Sequence, residues 1–148
     1  MKIRTDYLGE IHFEESDIIT FPKSILGFKE SKFILILSSD ESFPFHYLQS
    51  IENESLAFIV TNPFLFVEDY DFQLSEIELE ELELTVEDST VGAVTVYTIV
   101  NLSGGVGEAT VNLAAPIVIN AAKNIGKQIL IDEDAPIKHP IFDKKEGV

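Results

Sequence analysis

The sequence predicts a mainly β protein: a single-domain antiparallel β-barrel-like fold with one short helix. Three observations lead there. Seven or eight short apolar or β-branched runs recur along the chain, separated by Gly, Pro, Asn and Asp signals. Only one segment places apolar residues at helical offsets. No repeat, low-complexity tract or Pro/Gly-rich linker divides the 148 residues, so one domain over 1–135 and a polar C-terminal tail over 136–148 are expected.

Taken in order, residues Ile3 to Phe21 alternate loosely around a Leu8-Gly9 turn and acidic Glu14-Glu15, which predicts a hairpin of half-buried strands. Phe21-Pro22-Lys23-Ser24-Ile25-Leu26-Gly27-Phe28 breaks the pattern with Pro and Gly and reads as a loop carrying two Phe and two aliphatic residues. The continuous run Phe33 to Leu37 predicts a strand covered on both faces. Strands are expected at Phe45 to Leu48, at Leu56 to Val60 and along the β-branched stretch Val91 to Val100. The run Ala109 to Ile119 is strand-like but contains Pro116, which has no amide hydrogen for a ladder, so it must bend there or lie at an edge. Ala121 to Gly126 reads as a turn with Gly126 as a helix end, and Gln128 to Ile131 as the last strand.

The helix is expected over 75–82. Ser75 and Glu78 have capping-box spacing, and Leu74, Ile77, Glu81 and Leu82 sit at helical offsets that would lay an apolar stripe on the body. The alternation Ile77-Glu78-Leu79-Glu80 offers a strand instead, but Leu82 after Glu80-Glu81 breaks it, and Glu and Leu favour the helix.

Charge separates the possible functions. With 26 acidic and 10 basic side chains the net charge is −16, which disfavours direct binding to nucleic acid or anionic lipid and favours a basic partner. The absence of Cys excludes a disulfide scaffold, a thiolate metal site and a thiol nucleophile. The start of the chain has no apolar leader-like core, and the longest apolar run, Leu113 to Ile119, is too short for a helix to span a bilayer, so a cytoplasmic protein is expected.

Motifs for catalysis fail at residues the chemistry needs. Gly105-Val106-Gly107-Glu108-Ala109-Thr110 begins like a dinucleotide fingerprint but runs on into β-branched residues, with no helix whose N-terminus would hold a pyrophosphate. Gly126-Lys127 has Ala121 where a phosphate loop needs its first Gly and Gln128 where the magnesium-binding hydroxyl belongs. His12, His46 and His139 are scattered, no Gly-x-Ser-x-Gly occurs, and Glu87-Asp88 and Asp132-Glu133-Asp134 lack the ligand spacing of a calcium loop. No enzyme activity, cofactor or metal is expected.

What stands out is distribution. No Lys or Arg occurs between Lys32 and Lys123, a span holding 15 acidic residues, ten of them between Glu68 and Asp88. A solvated face is the usual meaning of such a run, but such faces normally mix signs, so a surface that meets a cationic partner or repels RNA explains it better. Beside it, Pro63-Phe64-Leu65-Phe66-Val67 leads into Glu68-Asp69-Tyr70-Asp71-Phe72, interleaving aromatic residues with carboxylates in the manner of a protein-binding surface. The candidate protein-binding residues are therefore Phe64, Phe66, Asp69, Tyr70, Asp71, Glu80, Glu81 and Glu83.

Several blocks resemble the FliW family of flagellar assembly factors: Ile19 to Phe28, Pro44 to Ser50, Ala57 to Val60 leading to Pro63 and Tyr70, Val111 to Asn120, and Gly126 to Leu130. The resemblance runs over residues 1–140. Ser24 stands where the family commonly has Gly, and Tyr47 where it often has Trp. The resemblance implies a cytoplasmic, non-catalytic, β-barrel-like protein that binds flagellin and, alternatively, the RNA-binding translational repressor CsrA, releasing flagellin translation when it holds CsrA. Such a protein would bind no nucleic acid or membrane itself and is expected to be a monomer when free. Because the aromatic segment abuts the acidic run, the two partners are expected to compete.

Overall fold

A computed structural model describes residues 1–37, 44–67, 69–85, 94–102, 104–131 and 135–141. Among these, the strands are β1 (Lys2–Thr5), β2 (Gly9–His12), β3 (Ile18–Thr20), β4 (Lys32–Ile36), β5 (His46–Ser50), β6 (Ala57–Thr61), β7 (Val94–Asn101), β8 (Thr110–Val111), β9 (Ile117–Asn120), β10 (Ile125–Gln128) and β11 (His139–Pro140). The α-helix is α1 (Glu76–Glu81). Seven strands close a barrel in the order β3-β4-β5-β6-β7-β9-β10, with β10 returning to β3. The predicted mainly β, antiparallel, barrel-like class with one short helix is the class observed.

All ladders in the barrel are antiparallel except the seam between β10 and β3, which is parallel and holds one register pair, Ile125 opposite Thr20. The Thr20 amide also donates to the Asn124 carbonyl at 2.9 Å. Packing seals what hydrogen bonding leaves short. A Cβ on Gly126 would stand 2.6 Å from the Phe21 ring, so the ring lies directly on the backbone of β10. Gly126 is thus a mid-strand residue, not the expected helix end, and it is small so that Phe21 can approach.

The barrel interior holds Phe21, Ile25, Phe33, Leu48, Val60 and Ile117, with the Phe21 and Phe33 rings edge to face at 5.5 Å. In β4 both Phe33 and Ile34 are buried on opposite faces, as its continuous apolar run predicts. The expected first hairpin is shorter than its sequence span. Only β1 and β2 pair with each other, as a separate two-stranded sheet, while β3 joins the barrel.

Pro116 divides the run from Ala109 to Ile119 into β8 and β9, and its carbonyl accepts from the Ile129 amide at 2.9 Å. The last barrel strand begins at Ile125, earlier than the expected Gln128. The chain beyond 135 is partly built in. The Pro136 carbonyl accepts from the Leu113 amide at 2.9 Å, β11 pairs with β8, and the Ile141 amide donates to the Ala109 carbonyl at 3.0 Å. Ile141 packs on the second core cluster of Phe45, Val100, Ala109, Val111 and Leu113, so the expected tail boundary at 136 falls within a docked segment. Residues 142–148 and the start of the expected long strand, Val91 to Ala93, lie outside the described residues.

Candidate protein-binding surfaces

The acidic segment owes its shape to an alternation that was not read from the sequence. From Asp69 to Ser75, odd-numbered residues are exposed and even-numbered ones half-buried, so Tyr70, Phe72 and Leu74 turn inward while Asp69 and Asp71 face solvent. Extended backbone then gives way to α1. The Ser75 hydroxyl accepts from the Glu78 amide at 3.2 Å, and the Glu78 carboxylate accepts from the Ser75 amide at 2.8 Å, completing the predicted capping box. At the other end the Leu84 amide donates to the Leu79 carbonyl and the Glu83 amide to the Glu80 carbonyl, with Glu83 at φ 56.

Leu79, Leu82 and Leu84 bury against Val118 and Ile129 on the outer wall of the barrel, and the Asn120 side chain donates to the Leu82 carbonyl at 2.8 Å. Burying Leu82 completely contributes on the order of 2 kcal/mol. Ile77, expected on that stripe, is 68% exposed. It lies about 200° around the helix from Leu79, so only one of the two can face the body.

The carboxylates divide into two groups. Glu81 pairs with Lys127 at 2.7 Å and Glu83 with Lys123 at 3.2 Å, so the β9–β10 hairpin supplies counter-ions that the acidic run itself lacks. The hydrogen bond from Lys127 is the main cause that holds the Glu81 carboxyl below its ordinary range, opposed by desolvation and helped by the charges of Lys127 and Lys23. Asp69, Asp71 and Glu80 are exposed and make no ion pair among the described residues. Glu68, Glu87 and Asp88 lie outside the described residues.

The aromatic candidates are likewise unequal. Phe64 is 45% exposed and Leu65 beside it is more exposed still, whereas Phe66 is half-buried. Tyr70 is a packing residue: its hydroxyl donates to the Leu113 carbonyl at 2.6 Å and burial pushes its pKa up to about 12. The Phe64, Tyr70 and Phe72 rings follow one another at 5.8 and 5.7 Å, so the exposed ring is the outer end of an aromatic row anchored in the body. The Asn62 side chain fixes that end by accepting from the Phe64 amide at 2.9 Å. Phe64, Asp69, Asp71 and Glu80 therefore present outward, with Phe66, Glu81 and Glu83 partly engaged and Tyr70 mostly inside. Leu65 is the residue that sequence reasoning missed.

A second surface lies elsewhere. Where the loop after β3 and the chain after β10 leave the barrel, its mouth opens into an apolar cleft of about 300 Å³. Leu26, Phe28, Leu130 and Ile137 form its exposed rim, and Phe58 and Ile99, half-buried against the core, form part of its floor. Nothing in the sequence marks the cleft, because its walls come from segments more than a hundred residues apart. Among the described residues no three His, Asp or Glu side chains gather as metal ligands, and no helix is long and apolar enough to cross a membrane.

Comparison with known proteins gives a consistent answer. The family described as FliW protein matches residues 2–141. The flagellar assembly factor FliW of Alkaliphilus metalliredigens is 41% identical over 146 residues, covering 97% of this chain and 88% of that protein. That of Caldanaerobacter subterraneus subsp. tengcongensis is 42% identical, covering 97% and 95%. A crystal structure of the flagellar assembly factor FliW superposes with a TM-score of 0.86 at 35% identity, covering 98% of this chain and 99% of its own. The matches span the barrel, α1 and the docked segment after 135, and by them the chain belongs to the FliW family of flagellar assembly factors.

Proposed function

We propose that this flagellar assembly factor works in the cytoplasm as a non-catalytic regulator that binds flagellin as a chaperone and binds CsrA, relieving repression of flagellin translation. The observation that carries the reading is that Asp69, Asp71 and Glu80 are exposed and make no ion pair among the described residues, while Phe64 and Leu65, a few positions earlier in the chain, are exposed as well. A repressor that binds RNA must carry basic surface, and carboxylates held against it neutralise that surface or repel the phosphates. Screening limits the effect to about 8 Å at physiological ionic strength, so the acidic row must dock beside the RNA path. Glu81 and Glu83 follow Glu80 at the end of α1, with their charge partly answered by Lys127 and Lys123. Phe64, backed by Tyr70, and Phe66 are the anchors for an amphipathic helix of unassembled flagellin.

The test is reversal of the unpaired charges. Asp69→Lys, Asp71→Lys and Glu80→Lys together should reduce release of RNA from CsrA at least tenfold, with the circular dichroism melt unchanged. Release with the same salt dependence as the wild type overturns the reading. Phe64→Ala should weaken flagellin binding by a similar factor. Because the anchors abut the carboxylates, flagellin titrated into a complex with labelled CsrA should free the label, a coupling of about 1.4 kcal/mol or more.

A further inference from the structure

We propose that the apolar cleft at the barrel mouth is a second docking surface, whose occupant is an amphipathic helix from another protein with carboxylates flanking its aliphatic face. Two features of the lining specify a helix. The polar side chains there are already engaged inward: Asn112 Oδ1 accepts from the Ala114 and Ala115 amides at 3.0 and 3.2 Å, while Gln128 accepts from the Leu26 amide at 2.9 Å and donates to the Ala115 carbonyl at 3.3 Å. Backbone beside the cleft is engaged as well, since the Ile129 and Ile131 amides donate to the carbonyls of Pro116 and Ala114. An extended peptide would therefore leave its own amides without partners, whereas a helix brings its hydrogen bonds with it and inserts only side chains. A volume of about 300 Å³ suits a few aliphatic side chains.

Charge specifies the flanks. This chain carries −16, yet Lys29 follows Phe28 and Lys138 follows Ile137, each next to a residue of the cleft. Both lysines are exposed, and neither makes an ion pair among the described residues. Glu30, next to Lys29, is turned away, its carboxylate accepting from the Asn53 side chain at 3.0 Å. The acidic row near α1 selects a basic partner; this surface selects the opposite sign, and the proposal holds whatever the acidic row binds.

The probe is a fluorescent 18-residue designed helix with a Leu/Ile face and Glu flanks, compared with the same helix flanked by Lys. The Glu-flanked helix should bind the full chain. Leu130→Asp and Ile137→Asp should each weaken it at least tenfold without moving the melting temperature, because both side chains are mostly exposed. Lys29→Glu with Lys138→Glu should abolish the preference for Glu flanks, and Phe64→Ala should change nothing. Failure to saturate at about 1 mM peptide, or binding that survives Leu130→Asp, overturns the proposal. So does a preference for Lys flanks, or a wild-type dimer in sedimentation that Leu130→Asp dissociates, which would make a second copy the occupant. Flagellin that binds wild type and Leu130→Asp equally leaves the flagellin assignment standing, because that reading rests on Phe64 and Phe66.

Discussion

Glu83 illustrates how a residue in a candidate binding face also carries backbone geometry. It occupies the left-handed position that closes α1, at φ 56, where a side chain costs roughly 1 kcal/mol relative to glycine. Its ion pair with Lys123 is more than half exposed on both sides and so contributes little. Glu83→Gly is therefore expected to raise stability by up to about 1 kcal/mol in urea denaturation while removing one acidic charge, which separates folding from the proposed binding of CsrA. Ser24, at φ 59, has the same left-handed geometry, in which glycine would carry no side-chain cost. At Gly126 the constraint is space. Gly126→Ala should cost about 1–3 kcal/mol, and pairing it with Phe21→Leu should recover part of that loss if the ring contact is the cause. The turn signals at 24 and 126 were legible in the sequence; which of them expressed torsion and which expressed contact was not.

At the scale of the element, α1 was legible because its signal is local. Six residues are too few for a self-sustaining helix, so the caps and the buried leucines must hold it. Ser75→Ala should accordingly destabilise the protein by about 1 kcal/mol, measurable as a lower urea midpoint, and weaken the proposed binding of CsrA by displacing Glu80 and Glu81. The rotation of the helix was less legible. Ile77 and Leu79 are both apolar, and the choice between them depends on where Val118 in β9 and Ile129 just past β10 stand, some forty to fifty residues later. The same distance hid Lys123 and Lys127, the counter-ions of Glu83 and Glu81, so the charge run read as wholly unanswered when two of its members are paired. The inward turn of Tyr70, Phe72 and Leu74 is written in plain alternation, but the carboxylates between them also fit a solvated charge run, and composition alone does not separate the two. The cleft had no local signal at all, since no single stretch of chain contains its two walls.

Across the whole molecule the groups shifted in the acid to neutral range, two glutamates and one histidine, act in one direction, while the half-buried Tyr70 and Tyr97 hydroxyls are shifted upward, outside that range. The Asn53 side chain is the first cause lowering the Glu30 pKa, the Lys127 bond does the same for Glu81, and desolvation lowers that of His46. A lowered folded-state pKa means that the unfolded chain takes up protons first as pH falls. The contribution of His46 is therefore present above pH 6.5 and lost below it, and those of the two glutamates are present above pH 4.5 and lost below it. Urea midpoints should fall steadily from about pH 7 to about pH 4, and Asn53→Ala should flatten the lower part of that curve. The barrel seam has a consequence in time as well as in energy. The single β3–β10 pair joins segments about a hundred positions apart, whereas most other barrel ladders join neighbours in the chain, so its closure carries the largest loop entropy for the fewest bonds. The ring should therefore shut after the rate-limiting step. Stopped-flow measurements on Gly126→Ala should show the loss almost entirely as faster unfolding, with the refolding rate near that of the wild type.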